Sequence, residues 1–597
     1  MQIAYKNKRL ERTLIAVNAL TAAVVAASFV TQFGFDRPLL PVGILRIAQA
    51  VLVFIFITEK IIRLFNSVSK VEYLWGNWFE IPLLLALGIA VFGSGRWFGA
   101  AEPSAIRYLS VGVYLVLQVV IKVCRTGVSL AASGRNPTRT LIASFLVLIV
   151  SGASLLMLPR SAATPDNIGI SFVDALFTAT SATCVTGLIV KDTGRDFSLM
   201  GQLVILSLIQ LGGLGIVVFG AVFALLLGQA LSLRESVAMQ DLLSARTLSR
   251  ISNMIVFIFL GTIFIEVIGA VGAFRMWDDV PGRITGVHQQ WFCSIFHSIS
   301  AFCNSGFSLF NDSFVQYNRS RGMYLVICPL IILGGLGFGV LYNLCNIASD
   351  RVKRFFKKLL SKHYRFSMKA PRRMQLQSKV VLSVSAFLIV VGMATILLFE
   401  RYAGKSDAAS NPGVLDALFQ SITARTAGFN TVKIAELSAS SRVILILLMF
   451  VGGSPGSTAG GIKTVTLAVV IMTAVAALRR RREVEMFKRS VRVVIVGRAI
   501  TVALLFVAVL LGATLILTIT ESGNGFTMAG IAFEVGSALG TVGLTTGITP
   551  SLTTVGKLII IAVMLIGRLG PLTLLAALTF NLKPVQYDYP DEALIVG

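Results

Sequence analysis

Four short stretches of this chain end in a glycine preceded by small or hydroxyl side chains: Thr183-Cys184-Val185-Thr186-Gly187, Asn304-Ser305-Gly306, Thr426-Ala427-Gly428 and Thr541-Val542-Gly543. No acid occurs in any of them and their side chains differ, so the chemical group they share is the backbone carbonyl. Carbonyls around an axis can replace the hydration shell of an alkali cation, and the chemistry predicted here is potassium held at backbone carbonyls of a selectivity filter. Glycine suits such a site because it permits the unusual dihedrals that turn successive carbonyls toward an axis, and it lets four strands approach closely.

The stretches share a layout. Phe177, Phe296, Leu418 or Phe533 lies ten residues before the glycine; Ala182, Ala301, Thr423 or Ala538 lies five before it; Leu188, Phe307, Phe429 or Leu544 follows it. The glycines recur at a period of roughly 120 residues. About 25 residues after each, a second glycine motif keeps the same register: Leu211-Gly212-Gly213-Leu214-Gly215, Leu333-Gly334-Gly335-Leu336-Gly337, Val451-Gly452-Gly453-Ser454-Pro455-Gly456 and Ile566-Gly567-Arg568-Leu569-Gly570. One chain is expected to build a fourfold pore.

The elements that position these loops follow from composition. Of 597 residues, 55% are hydrophobic and 14% charged, which is the composition of a polytopic membrane protein. The net charge of +25 would suggest nucleic acid in a soluble chain; here the basic residues sit in short loops beside apolar spans, which membrane orientation explains, and no nucleic-acid partner is expected. The six cysteines are scattered without metal-ligand spacing and read as small buried hydrophobes.

The predicted fold class is an all-α polytopic membrane protein: four pseudo-repeats of helix, pore loop and helix around one central pore, preceded by about four further transmembrane helices. Residues 1–125 form that N-terminal unit, with spans near 14–35, 41–62, 79–94 and 105–122. The repeats fall at 139–228, 251–346, 379–478 and 493–597, the last including the C-terminal tail. Outer spans are expected at 140–158, 251–274, 380–399 and 493–520, and inner ones at 199–227, 323–346, 443–478 and 556–580. Each is close to the ~20 residues that cross a bilayer, whereas the segments ending at the glycines are too short and must be re-entrant. This places the basic loops 229–250, 347–379 and 479–492 on one side, the cytoplasm. A short helix entering from outside points the negative end of its dipole at the midplane, which favours a cation there.

The third repeat is expected to differ in its inner helix. From Val443 to Leu478 the only charge is Lys463, and a continuous helix of that length would reach about 54 Å, nearly twice the hydrocarbon core. Its interruption is Gly452-Gly453-Ser454-Pro455-Gly456-Ser457-Thr458-Ala459-Gly460-Gly461, whose bare backbone is tolerable at membrane depth only where it lines a cavity. Below the filter such a loop would act as a gate. Lys463 and Arg568 either line the pore and lower cation occupancy there, or pair with Glu534 or a helix C-terminus.

The quoted motifs, with the block from Gly452 to Gly461 followed by Ile462-Lys463-Thr464 the most specific among them, resemble the Trk/Ktr/HKT superfamily of potassium transporters over about 139–597. The C-terminal Tyr589-Pro590-Asp591-Glu592 is more similar to Ktr-type (KtrB-like) membrane subunits, while the extra N-terminal helices depart from both Ktr and Trk patterns. The resemblance implies potassium uptake across a bacterial inner membrane, a homodimer of pseudo-fourfold pores in contact with membrane lipid, and gating by a cytosolic nucleotide-binding (KtrA/TrkA-like) regulatory subunit. No dinucleotide-binding fingerprint follows a strand in this chain, so it is expected to carry no cofactor. Part of the N-terminal unit (Phe56, Glu59, Arg63, then Asn77-Trp78-Phe79-Glu80) resembles a voltage sensor. No basic residue lies between Arg107 and Lys122, however, so the ladder of gating charges is missing. Two other readings stay open: a sodium- and potassium-permeable cation channel or transporter independent of a partner, and a membrane-embedded enzyme, which His288, His297 and His363 are too dispersed to support.

Overall fold

A computed structural model of the chain describes residues 6–35, 38–76, 137–163, 169–215, 251–280, 286–360, 373–403, 412–481 and 483–578, with single positions near 84, 111–115 and 284. The described part is helical apart from one two-stranded hairpin. Outer helices are found at Pro137–Leu156, Ile251–Ala273, Leu376–Tyr402 and Val493–Thr520, within a few residues of expectation. They are apolar all round, and their outward residues are large and hydrophobic. On Val493–Thr520, Leu504, Leu511, Leu515 and Ile519 are each more than half exposed, a surface suited to lipid and not to water.

Four short helices follow the outer ones: Phe172–Thr183, Val287–Cys303, Val414–Thr423 and Met528–Gly540. Three begin at local caps, with the Ser171 hydroxyl accepting from Asp174 N–H, the Thr527 hydroxyl from Gly530 N–H, and Asp416 folding back onto Gly413 N–H. Residues buried to within 2% of completeness, including Phe177, Phe296, Phe419 and Phe533, anchor them in the core.

The inner helices correct the sequence reading. Only the third was expected to break, yet the second and fourth are also interrupted at the same registered glycine, and the first stops there, at the last residue described in that stretch. Leu199–Leu214 stops at Gly215 (φ 82°), and Thr554–Leu569 stops at Gly570 (φ 84°), beyond which Pro571–Leu578 begins. Met323–Leu336 turns by 104° into Phe338–Phe356 at Gly337 (φ 85°). In the third repeat Ala439–Phe450 and Thr464–Leu478 flank the long loop. A left-handed residue cannot continue a right-handed helix, so Gly215, Gly337 and Gly570 are stops, whereas the third repeat's helix already ends at Phe450. The expected spans 199–227, 323–346 and 556–580 are therefore not continuous helices over the residues described.

Two loops also differ. Within 347–379, helix Phe338–Leu360 continues to Leu360, with Val340, Leu341 and Ile347 buried and its second half rich in Lys and Arg, which are good helix formers. Within 479–492 a hairpin pairs Val484–Met486 with Arg489–Val491 across Phe487 and Lys488, both at positive φ as a tight hairpin turn requires. Met486 packs with Val380, Ala468, Val469 and Ala499, fastening the hairpin to the helix that descends from the broken segment.

At the N-terminus Lys8–Phe33 and Val42–Asn66 form an antiparallel pair. Their near ends are tied by Asn7 N–H to Asn66 Oδ1 (3.0 Å) and Asn66 Nδ2 to Asn7 O (3.1 Å), and Arg63 joins Glu59 (2.6 Å) and Glu11 (3.4 Å). At the far end Arg160 N–H donates to Gly34 O, docking the pair on the first repeat. Apart from those single positions, the expected spans 79–94 and 105–122 lie outside the described residues, as does the loop 229–250.

Candidate filter and gate

Each short helix ends in a backward hydrogen bond that folds the next residues under its C-terminus. Thr186 N–H donates to Ser181 O, Ser305 N–H to Ser300 O and Val542 N–H to Ser537 O, at 2.8–2.9 Å; in the third repeat Ala427 N–H uses Thr423 O. The serine hydroxyls add a second tie, to Gly187 N–H (3.1 Å) and Gly543 N–H (3.0 Å), while Thr423 Oγ1 donates to Phe429 O (2.7 Å). These holding residues were missed in the sequence, although a serine six positions before the glycine in three of four repeats was a usable signal.

Backbone hand then alternates in register. Val185, Asn304, Thr426 and Thr541 have φ of 57°, 59°, 83° and 50°, and Gly187, Gly306, Gly428 and Gly543 have 88°, 71°, 84° and 94°, with the residue between them at ordinary φ. Alternation of this kind turns consecutive carbonyls to one side. For β-branched valine and threonine the left-handed region costs on the order of 1–3 kcal/mol per residue, and strain of this size is held where a fold over-determines the site.

The four strands close on one another in sequence order. A Cβ on Gly187 would collide with Ser305 O, on Gly306 with Ala427 O (2.8 Å), on Gly428 with Val542 O, and on Gly543 with Thr186 O. The structure thus brings the four glycines and Thr186, Ser305, Ala427 and Val542 into one ring. The hydroxyls of Thr183, Thr186, Thr426 and Thr541 are fully buried and bond to no protein group.

The second glycine motif now has a cause. Gly212, Gly334 and Gly567 each press on the last turn of a short helix, where a side chain would strike Thr183 O, Phe302 O and Leu539 O. In the third repeat Gly452 meets Gly460 O instead, because the loop from Gly452 to Gly461 occupies that space. Its ends are pinned together by Gly452 N–H to Ile462 O (2.9 Å) and Thr464 N–H to Gly453 O (3.0 Å).

This loop lies against the second and fourth repeats. Ser454 N–H donates to Gly335 O (3.0 Å), the Ser454 hydroxyl to Leu336 O, and Gly456 O accepts from Phe338 N–H (2.9 Å). Thr458 is the hub: its hydroxyl lies 3.2 Å from Gly334 O and from the Asn304 amide, and 3.4 Å from Phe302 O. Gly460 packs on the Thr541 side chain. Lys463 Nζ reaches back to Ala459 O (2.6 Å) and Gly460 O (3.4 Å), bracing the loop from within, while Pro455 and Ser457 shape its turn, Ser457 Oγ donating to Ser454 O (2.7 Å). Arg568 donates from one guanidinium nitrogen to Thr458 O and from another to Gly212 O and Gly213 O, so it spans from the loop to the end of helix Leu199–Leu214. Of the alternatives left open by sequence, Glu534 is engaged elsewhere, with Thr545, Thr546 and Thr549, and a helix C-terminus is what Arg568 holds.

A family model described as cation transport protein, TrkH, matches residues 113–584. The chain is 37% identical over 472 residues to Ktr system potassium uptake protein B of Bacillus subtilis, covering 77% of this chain and 97% of that protein. It is 35% identical over 470 residues to potassium/sodium uptake protein NtpJ of Enterococcus hirae, with the same coverage. Among solved structures, the potassium transporter TrkH from Vibrio parahaemolyticus is similar in fold at a TM-score of 0.57 and 20% identity, covering 85% of this chain and 97% of that one.

Proposed function

Since the chain belongs to the TrkH cation transport protein family and is a multi-pass plasma membrane protein, we propose that it takes up potassium through a filter of backbone carbonyls, closed from below by the loop from Gly452 to Gly461. The observation that carries this is the closed ring in which each filter glycine abuts the next repeat's carbonyl, in the order 187, 306, 428, 543. Four partnerless buried threonine hydroxyls fit walls of a passage better than packed core. Uptake of labelled potassium and sodium by a transport-deficient host expressing the chain is the test: potassium accumulation that excess sodium barely inhibits is the expected result. Equal use of both ions would favour the potassium/sodium reading suggested by the second relative's name. Absence of uptake of either ion in correctly inserted protein would defeat the proposal.

We further propose a homodimer regulated by a cytosolic nucleotide-binding subunit docking on the basic face that includes 351–373 and 479–492. A few positive residues per loop fix orientation, and these runs hold more. Surplus charge of one sign attracts an oppositely charged partner. Helix Thr464–Leu478 links the gate loop directly to the arginine run and the hairpin, so a partner pulling there acts on the loop mechanically. Neutralising Arg479, Arg480, Arg481 and Arg482 should lower regulated uptake by about tenfold, the scale of typical coupling between sites, while leaving potassium over sodium preference unchanged. Full nucleotide-responsive transport by the purified chain alone would rule the partner out.

A further inference from the structure

The residue nine before each filter glycine is Thr178, His297, Phe419 or Glu534. In two repeats it makes the same unassigned contact. In the second, His297 Nδ1 lies 2.8 Å from Cys293 O and so carries the proton. Nε2 is left as an acceptor for the Ser308 hydroxyl (3.1 Å) and Leu309 N–H (3.3 Å), the second and third residues after the glycine. In the fourth, Glu534 Oε1 accepts from the Thr545 hydroxyl (2.7 Å), Thr546 N–H (2.8 Å) and the Thr546 hydroxyl (3.0 Å), again the second and third residues after the glycine, and Oε2 accepts from the Thr549 hydroxyl (2.7 Å). Both side chains are buried, at 0% and 1% exposure.

The other two repeats lack the contact. Thr178 turns its hydroxyl to Asp174 O on its own helix (2.9 Å), and Phe419 has no polar group. In the third repeat the strand leaving the filter is held from outside, by Ser313 of the second repeat accepting from Asn430 N–H. Because the ring runs in sequence order, the second and fourth repeats face each other across it.

We infer that His297 and Glu534 are a diagonal pair of positioning residues that fix the outer strands of the second and fourth filters and thereby set ion preference. The inference rests on the filter proposed above. Its physical basis is that a carbonyl ring discriminates ions by where its oxygens stand, and in the second and fourth repeats these two side chains tie the second and third residues beyond the glycine back to the short helix. Four donors satisfy the oxygens of the buried Glu534 carboxyl group, which fixes its position against the strand.

The test uses the full chain in a transport-deficient host, scoring potassium over sodium preference and half-saturating potassium concentration. Glu534→Ala and His297→Leu should each reduce preference roughly tenfold, the scale of losing hydrogen bonds to a charged or strongly polar acceptor. Thr178→Val, at the same register but without the contact, should leave it unchanged. Glu534→Gln keeps the acceptor oxygen that meets Thr545 and Thr546, so preference should be largely rescued. Wild-type preference in both Glu534→Ala and His297→Leu at normal membrane abundance overturns the inference. If either variant fails to reach the membrane, Thr545→Val with Thr549→Val decides: unchanged preference overturns it, reduced preference supports it. Gly543→Ser run in parallel separates the two levels, since a wild-type preference in that variant would reject the filter itself, whereas loss there with no effect at Glu534 and His297 rejects only their role.

Discussion

Replacing Gly187 by serine should abolish most of the potassium over sodium preference, by tenfold or more, because about 1.4 kcal/mol lost from differential binding is enough for each factor of ten. The substituted Cβ would collide with Ser305 O of the neighbouring strand. That oxygen belongs to backbone held by the Ser300 carbonyl at 2.9 Å, so it cannot retreat without releasing its own helix. Serine must also adopt φ 88°, far outside the range most side chains accept. The ring therefore opens at one corner, widening the cage toward ions of different size. Competition of sodium against labelled potassium in the variant and wild type measures this; unchanged competition in inserted protein would remove Gly187 from the filter.

The second large effect belongs to the loop. Deleting 454–459 removes Thr458 and with it the contacts to Phe302, Asn304, Gly334 and Arg568, so flux should rise and lose its dependence on any regulator. A milder version is Arg568→Gln. Hydrogen bonds to a charged group are each worth about 1.5–3 kcal/mol, and losing two that join Thr458 to Gly212 should raise the open population at least roughly tenfold, provided opening separates those two carbonyls. Initial rates of labelled potassium uptake in cells, normalised to membrane abundance, distinguish the outcomes. Flux unchanged or lower in both variants would mean the loop is scaffolding.

Much of this protein is legible from sequence because the information is local or periodic. Span length and hydropathy locate the outer helices, since a bilayer imposes the same length on each. A repeat near 120 residues puts Gly187, Gly306, Gly428 and Gly543 in register, and a run as rich in glycine as that from Gly452 to Gly461 cannot remain helical in any context. What the sequence left undecided depends on groups distant along the chain and adjacent in space. Sequence left Arg568 free to pair with Glu534; its guanidinium holds Gly212 O and Thr458 O, because the fourth inner helix packs on the short helix of the first repeat. The left-handed glycines Gly215, Gly337 and Gly570 were visible as motif letters, but a glycine inside an apolar run is compatible with a continuing helix, and only the folded backbone, at φ 82–85°, decides that it stops. His297 and Glu534 share a register and a contact without sharing a residue type, so pattern alone could not pair them. Their equivalence lies in which hydroxyl and which N–H they meet, and that is fixed only when the strand after each glycine has folded back over its helix.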